Sequence, residues 1–292
     1  MDFSEKLKEI RNKEGLSQEQ LADKIGVSRQ AVTKWETGKG LPDIENMVIL
    51  AQIFKVTLDE LVLQVTPEKA EDKPTVFTSE TAYDIDCSKR FDINIGNVKD
   101  ITVSTGTDEK LHIILKSDAI EDIGSCFKVK LDDRKNRLDA VCSYKDKISR
   151  YEAEENVSVV ITLPAVFSDH CEISADAKFL NIKSLDIRRL EYDGSAENVF
   201  ISETSGSIEL TSKTNYDITV DKISGRLDVN QWRAKSIVHI AKENCPAVIN
   251  KGRKCSLHFI KDGKLTDFNP GEESENVISV SGLGSEMIVD LI

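Results

Sequence analysis

The chain has 292 residues, a length that suits about two domains. Hydrophobic residues make up 39% and charged residues 31% of the composition, which is typical of a globular protein and excludes a disordered or fibrous one. The formal net charge of −12 is unevenly spread, because residues 1–63 hold nine Lys or Arg against eleven Asp or Glu and therefore carry only −2 of it. The overall acidity does not exclude nucleic-acid binding by the first part.

No apolar run approaches the roughly 18 residues that suggest a membrane span. The N-terminus MDFSEKLKEI is charged and amphipathic, so it does not resemble a secretion signal. We therefore expect a cytoplasmic protein without membrane contact.

The six cysteines are dispersed without a C-x-x-C pair; they are Cys87, Cys126, Cys142, Cys171, Cys245 and Cys255. His170 with Cys171, and Cys255 with His258, are metal-ligand residue types, but their spacing matches no zinc motif. We favour ordinary buried thiols in a reducing compartment over a metal site.

Helical spacing of apolar residues from Ser4 to Leu63 predicts five short helices. The predicted N-caps are Ser4, Ser17, Ser28 and Asp43, and a capping box from Thr57 to Glu60 opens the fifth helix. Gly26 is predicted to end the second helix by adopting a positive φ.

After a Pro-containing, charged linker at 64–80, the period of the pattern changes from 3.6 to 2, which predicts an all-β domain over 81–292. The segments around Gly206 and Gly225 share the form Ser-Gly-x-apolar-x-apolar and lie nineteen residues apart, with a looser relative around Gly194. This repeat favours a β-solenoid, in which coils bury their inner faces by stacking; a β-sandwich with Ser-Gly turns is the alternative.

The segment from Gln18 to Trp35 has the spacing of a helix-turn-helix. Ala22 permits a close helix approach and Gly26 a tight turn, while Val32 and Trp35 anchor the following helix in the core. Trp35 is accordingly expected to be a core residue.

The same helix leaves Arg29, Gln30, Thr33 and Lys34 on its outer surface. Arg can bind the guanine edge and Gln the adenine edge in the major groove, so these side chains suit base reading. Around them, we expect contacts to phosphate or the DNA backbone from Gln18, Ser28, Thr33, Lys39 and Gly40. Glu36 is expected to pair locally, with Lys39 or Arg11, or to act at DNA.

The stretch from Phe3 to Leu63 resembles the Cro/C1-type, or xenobiotic-response-element, helix-turn-helix family. The resemblance is carried by Leu16, Gln18, Leu21, Ala22, Gly26, Val32, Trp35, Glu36, Gly38, Pro42 and the final LDEL. It implies a five-helix domain that binds operator DNA as a homodimer, with Arg29, Gln30 and Lys34 reading bases. Many members have Gln where this chain has Lys34, so Lys34 is expected to contact either a guanine or a phosphate.

The β region contains no recognised catalytic or dinucleotide motif, so we predict no enzyme activity and no cofactor. Its Ser-Gly strands resemble the adhesin-like β-solenoid domains found behind such helix-turn-helix segments. The acidic runs at 152–156 and 271–276 are expected to be solvated loops without calcium.

Three hypotheses follow for the whole chain. In the first it is a transcription regulator, most simply a repressor, whose β domain responds to a ligand, a protein partner or oligomerisation. In the second the β domain is purely structural. In the third the chain is an antitoxin-like protein whose β domain binds a partner and whose DNA binding is autoregulatory.

Overall fold

The computed structural model describes residues 3–54, 76–145, 147–241, 246–266 and 274–292. The chain divides into two compact units, Met1–Lys73 and Pro74–Ile292. The first strand begins at Phe77, inside the predicted linker at 64–80. Among the described helices, none has the length and apolar character needed to cross a membrane.

The first unit is helical. Its helices are α1 (Phe3–Lys13), α2 (Gln18–Ile25), α3 (Arg29–Glu36) and α4 (Ile44–Phe54). Leu7, Leu21, Val32 and Leu50, one from each helix, are completely buried and form the centre of its core. The predicted fifth helix lies outside the described residues.

One predicted cap in this unit is wrong. Ser4 lies inside α1 and is only 7% exposed, with its Oγ beside the backbone of Gly38. The helix already begins at Phe3, so Ser4 is its second residue and does not occupy the N-cap position.

The turn between α2 and α3 has the predicted chemistry. Ser17 and Gln20 form a reciprocal capping box at the start of α2. Gly26 ends α2 at φ 83°, and Val27 N–H donates to the carbonyl of Ala22 at 3.0 Å. This left-handed glycine lets the chain reverse within two residues, so Ser28 can cap α3 at once.

The second unit is a large all-β domain, as predicted. Its strands are β1 (Phe77–Asp84), β2 (Lys89–Thr105), β3 (Lys110–Ser117), β4 (Phe127–Arg134), β5 (Arg137–Tyr144), β6 (Ser158–Leu163), β7 (Ser168–Lys183), β8 (Asp186–Asp193), β9 (Ala196–Ser202), β10 (Thr204–Ser212), β11 (Asp217–Val220), β12 (Ile223–Trp232), β13 (Lys235–Ile240), β14 (Ala247–Asn250), β15 (Ser256–Lys261), β16 (Lys264–Thr266), β17 (Val277–Leu283) and β18 (Glu286–Leu291). Two short helices, α5 (Ile123–Cys126) and α6 (Arg150–Asn156), interrupt them.

Most of the strands lie in two parallel ladders. The first ladder runs in the order β5, β2, β7, β8, β10, β12, β17, β14. The second runs β6, β2, β7, β9, β11, β13, β18, β15, and the long strands β2 and β7 belong to both. Strands β1, β3, β4 and β16 add antiparallel pairs.

The core of this domain is built from columns of stacked apolar side chains. One column crosses the first ladder in register and consists of Phe91, Cys171, Leu190, Ile208, Leu227 and Ile278. None of these side chains is more than 1% exposed. Cys171 is therefore a core thiol, and its burial raises its pKa.

The two Ser-Gly segments lie side by side, because Gly206 pairs with Gly225 in adjacent strands. A Cβ added at Gly206 would stand 1.7 Å from the carbonyl oxygen of Ile187, and one at Gly225 would stand 2.2 Å from that of Gly206. Glycine is required at this point because the neighbouring backbone fills the space of a side chain.

Two sequence-based expectations for this domain are wrong. Gly206 pairs with Ile187, while Gly194 lies in the turn after β8, so the segment around Gly194 is not a third copy of the repeat. The acidic run at 152–156 is helical in α6, where Ser149 and Glu152 form a capping box. A carboxylate placed at the start of a helix stabilises it, which the run's charge alone did not reveal.

Strand β1 is fixed to its neighbour partly by a histidine. His112 on β3 lies 2.7 Å from Glu80 of β1 through Nδ1 and 2.9 Å from Asp108 through Nε2. Hydrogen bonds to Glu80 and then Asp108 raise the pKa of His112. The protonated imidazole therefore binds both carboxylates at once.

Candidate nucleic-acid interface

Helix α3 has two chemically distinct sides. Val32 is fully buried and Trp35 is 7% exposed, so both hold the helix against α1 and α2. Arg29, Gln30 and Lys34 are exposed on the other side. Residues three or four apart share a side of a helix, as Val32 and Trp35 do on the buried side and Gln30 and Lys34 do on the exposed side.

Both ends of α3 are closed by local hydrogen bonds. Ser28 Oγ accepts from Ala31 N–H at 3.3 Å, which fixes the N-terminal turn that carries Arg29 and Gln30. At the other end, Lys39 N–H donates to the carbonyl of Lys34 at 2.9 Å. The exposed positions Lys39 and Gly40 follow directly, so the exposed side of α3 is flanked by a capped start and a polar turn.

A buried ion pair connects α3 with α1. Arg11 Nε and Nη2 bind the two carboxylate oxygens of Glu36 at 2.6 and 3.0 Å, and Arg11 Nη1 donates to the carbonyl of Leu16 at 2.6 Å. Arg11 and Glu36 are each 8% exposed. Burial alone would raise the pKa of Glu36, but the hydrogen bonds from Arg11 and then Gln18 outweigh it and lower that pKa. Glu36 thus pairs with Arg11, one of its expected local partners.

The ion pair extends through two side chains to the outer side of α3. Gln18 Nε2 donates to Glu36 Oε2 at 2.8 Å, and Gln18 Oε1 lies 3.1 Å from the Thr33 hydroxyl. That hydroxyl also lies 3.0 Å from the carbonyl of Arg29. The result is a continuous polar chain, Arg11–Glu36–Gln18–Thr33, that reaches the backbone of Arg29 on the outer side of α3.

The structure thus brings all the predicted DNA-facing residues to one region of the helical unit. The base-reading candidates lie on α3, and the phosphate candidates Gln18 and Lys39 lie at the start of α2 and beyond the end of α3. Sequence reasoning missed the connection between Gln18, Thr33 and Glu36 as a single network. In the sequence, the only signal of this network is that Gln18, Thr33 and Glu36 are polar residues at the edges of their helices.

The residues weighed as metal ligands are not brought together as a site. His170 Nε2 lies 3.0 Å from Glu191 on the domain surface, whereas Cys171 is buried in the core. Within the described ranges, no group of three or more His, Cys, Asp or Glu is arranged to hold a metal ion.

A family model described as helix-turn-helix matches residues 7–61 of the chain. The HTH-type transcriptional activator BcrR of Enterococcus faecalis is 48% identical over 62 residues, which are 21% of this chain and 30% of that protein. The CTXphi transcriptional repressor RstR of Vibrio cholerae is 39% identical over 61 residues, covering 21% of this chain and 54% of that protein. The chain spans only part of these two relatives.

A smaller relative is matched over most of its length. An uncharacterized HTH-type transcriptional regulator of Archaeoglobus fulgidus is 33% identical over 58 residues, which cover 83% of that protein and 20% of this chain. A solved structure named "putative cell adhesion protein" from Clostridium sporogenes is 13% identical, covers 74% of this chain and 100% of its own, and superposes with a TM-score of 0.35. A likeness this loose implies nothing about what the β domain binds.

Proposed function

The chain belongs to the Cro/C1-type helix-turn-helix family of transcriptional regulators, and on that premise we propose that it reads operator DNA with α3 lying in the major groove. The single observation that carries the proposal is the outer side of α3, where Arg29, Gln30 and Lys34 are exposed on a helix anchored by Val32 and Trp35.

Arg29 and Gln30 are the proposed base readers at the N-terminal end of α3. Their side chains match the guanine and adenine edges respectively, and the Ser28 cap fixes the turn on which they stand. Lys34 lies one turn further along the helix and contacts a guanine or a phosphate.

The proposed backbone contacts surround this side. Ser28 uses its oxygen as a cap acceptor, which leaves the hydroxyl hydrogen to donate to a phosphate. Lys39 and the Gly40 amide follow α3, while Gln18 and Thr33 are held in place by the polar chain from Glu36. These contacts set the register of the protein on DNA without specifying sequence.

For the β domain we infer a β-solenoid. Parallel pairing with residues nineteen apart in register, as at Gly206 and Gly225, is what stacked coils produce and is foreign to hairpin-built sandwiches. We ascribe to this domain a modulating role through a ligand, a protein partner or oligomerisation, and no catalytic role.

We propose that the protein acts in the cytoplasm and binds, as a homodimer, an operator with two half-sites. The simplest role for it there is that of a repressor. The sign of regulation is open to direct test, since BcrR is named an activator and RstR a repressor.

The test is genome-wide mapping of bound sites, followed by fluorescence anisotropy on the recovered operator. Arg29→Ala and Gln30→Ala should each lose about 1–3 kcal/mol at one base position and leave discrimination elsewhere intact. Glu14→Ala, at an exposed position beyond α1, is the matched control. A uniform loss across all base positions for Arg29→Ala would remove it from the base readers, and failure to recover any preferred sequence would overturn the proposal.

A further inference from the structure

The outer surface of the first ladder carries charges in two in-register columns. One outward-facing ladder position of β5, β2, β7, β8, β10 and β12 is an arginine on four of the six strands. Arg137, Arg90, Arg189 and Arg226 form a basic column there, with His170 on β7 and Ser207 on β10 at the other two levels. Two residues further along each strand, an acidic column forms from Asp139, Asp92, Glu172, Glu191, Glu209 and Asp228. We call this surface the charged face.

The dimensions of the charged face follow from sheet geometry. Neighbouring strands lie about 4.8 Å apart, and residues two apart on a strand are separated by about 6.6 Å. The columns are therefore about 24 Å long and run side by side across the strands.

The charges are already ordered within the face. Arg189 binds Glu191 through Nε at 2.5 Å and Glu209 through Nη2 at 2.9 Å, and Arg137 binds Asp92 at 2.6 Å. Ion pairs also join Arg90 to Glu172 and Arg226 to Asp228.

These in-face pairs do not use up the arginines. The side chain of Arg189 remains 49% exposed and that of Arg90 43% exposed. A guanidinium has five N–H donors, so each arginine can keep its ion pair within the charged face and also bind a carboxylate of a molecule that packs onto this face. Because the side chains are already held in position, such binding costs little rotamer entropy.

We propose that the charged face is the surface through which two copies of this chain associate, related by a two-fold axis parallel to the columns. Rotation about that axis exchanges the columns, so the basic column of each copy lies over the acidic column of the other. Each strand of one copy then faces the equivalent strand of the other copy, and Arg189 of one copy contacts Glu191 of the other. Four of the six levels gain an arginine–carboxylate contact across the interface; the other two have His170 and Ser207.

The charge pattern also selects the orientation of the two copies. An axis running along the strands would place basic over basic and acidic over acidic, which repels. The favoured axis keeps the two ends of the stack aligned, so both copies of β1 lie at the same end. This orientation suits a dimer whose two DNA-binding units bind one operator, a point that rests on the proposed function. The proposal that the two copies associate does not depend on that function.

The contact is small and charged, so it is weak. A face about 24 Å long and three residues wide lies below the area of standard stable interfaces. Association is therefore expected only at high protein concentration or on DNA, and it weakens with salt because partly exposed charges are screened.

The experiment is sedimentation equilibrium of the full chain without DNA at about 50 mM and about 500 mM NaCl. We expect a monomer–dimer equilibrium whose dissociation constant rises at least roughly tenfold at the higher salt, since several ion pairs are screened together. A chain that stays monomeric at low salt, or a dimer insensitive to salt, would overturn the proposal.

Two charge-reversed variants test whether the basic column of one copy lies over the acidic column of the other. Arg90→Glu with Arg189→Glu makes both columns acidic at two levels, and Asp92→Arg with Glu191→Arg makes both basic. Each variant alone should lose dimerisation, whereas an equimolar mixture should form heterodimers, because the new glutamates face the new arginines. Misfolding cannot produce that restoration, so absence of heterodimers from two folded variants, or dimerisation of either alone, contradicts the arrangement.

The matched control is Arg150→Glu with Lys235→Glu, which makes the same change in net charge away from the charged face and should dimerise like the wild type. Anisotropy on a single half-site separates the two proposals. A variant that cannot dimerise should bind a half-site normally, and loss of sequence preference with intact dimerisation would remove only the DNA-reading function.

Discussion

Replacing Glu36 with Gln is expected to destabilise the helical unit strongly while leaving the β domain intact. The substitution keeps the shape of the side chain but removes its charge, so the Arg11 guanidinium, 8% exposed, stays buried without its counter-ion. It also weakens the acceptor for Gln18 Nε2.

The magnitude follows from the burial of the pair. Removing one member of a buried ion pair typically costs about 3–5 kcal/mol, because the remaining charge is left uncompensated. A unit of about 60 residues has a total stability of only about 3–9 kcal/mol. Glu36→Gln should therefore remove most of the stability of this unit. Replacing both members, by Arg11→Met with Glu36→Leu, should recover most of the loss.

The assay uses the position of the two tryptophans. Trp35 is in the core of the helical unit and 7% exposed, whereas Trp232 is on the β domain and 57% exposed. In a Trp232→Phe background, urea unfolding followed by tryptophan emission reports on the helical unit of the full chain. Glu14→Gln, at an exposed position, controls for the loss of a carboxylate.

The pH dependence gives a second readout. The pKa of Glu36 is lowered in the folded protein, so its stabilisation is present above its unfolded pKa of about 4.3 and is lost as pH falls through the folded value. The stability difference between the wild type and Glu36→Gln should therefore shrink in acid. A loss below about 1 kcal/mol at neutral pH, or a difference that does not change in acid, would refute the reasoning.

Lys34→Ala should reduce the slope of log affinity against log salt by about 1 if Lys34 holds a phosphate; an unchanged slope with lost discrimination at one base pair would assign it to base reading with Arg29. Gly206→Asn should cost at least about 2 kcal/mol in β-domain unfolding, because a Cβ there stands 1.7 Å from a carbonyl oxygen, whereas Gly263→Asn, in an open turn, should cost under about 1 kcal/mol; equal losses would refute the steric argument. The raised pKa of His112 means that its stabilisation is present below about pH 6.5 and lost as pH rises through the folded value, so His112→Gln should abolish that part of the pH dependence in thermal unfolding; an identical profile for both proteins would show that the imidazole contributes nothing.

Local patterns in the sequence were sufficient for the helix-turn-helix. Gly26, Val32 and Trp35 act within one or two turns of chain, where periodicity, capping and φ preferences are readable without tertiary information. The same holds for the Ser-Gly segments, since Gly206 and Gly225 pair directly in adjacent strands. The exposure of Arg29 then followed from the burial of its neighbours.

Features that depend on distant residues were not predictable in this way. The Arg11–Glu36 pair joins residues 25 apart, and the sequence offered Lys39 as an equally plausible partner. Strand β2 lies between β7 and the earlier layer formed by β5 and β6, an order that no local pattern encodes. The charged face is the clearest case: Arg189 and Glu191 are an unremarkable pair of surface charges until the register places them beside Glu172 and Glu209.

The two proposals together predict how salt acts on operator binding. A single head loses affinity with salt in proportion to the phosphates it neutralises, with a slope near −0.9 per contact. If two heads bound independently, the slope on a two-half-site operator would be twice that on one half-site. A weak charged contact between β domains adds a further salt-sensitive term, because heads on adjacent half-sites raise the effective concentration of the β domains to about the millimolar range. The slope on the full operator should therefore exceed twice the half-site slope, and Arg90→Glu with Arg189→Glu should return it to twice. A wild-type slope that is only doubled would mean that the charged face contributes nothing on DNA, even if it associates in concentrated solution.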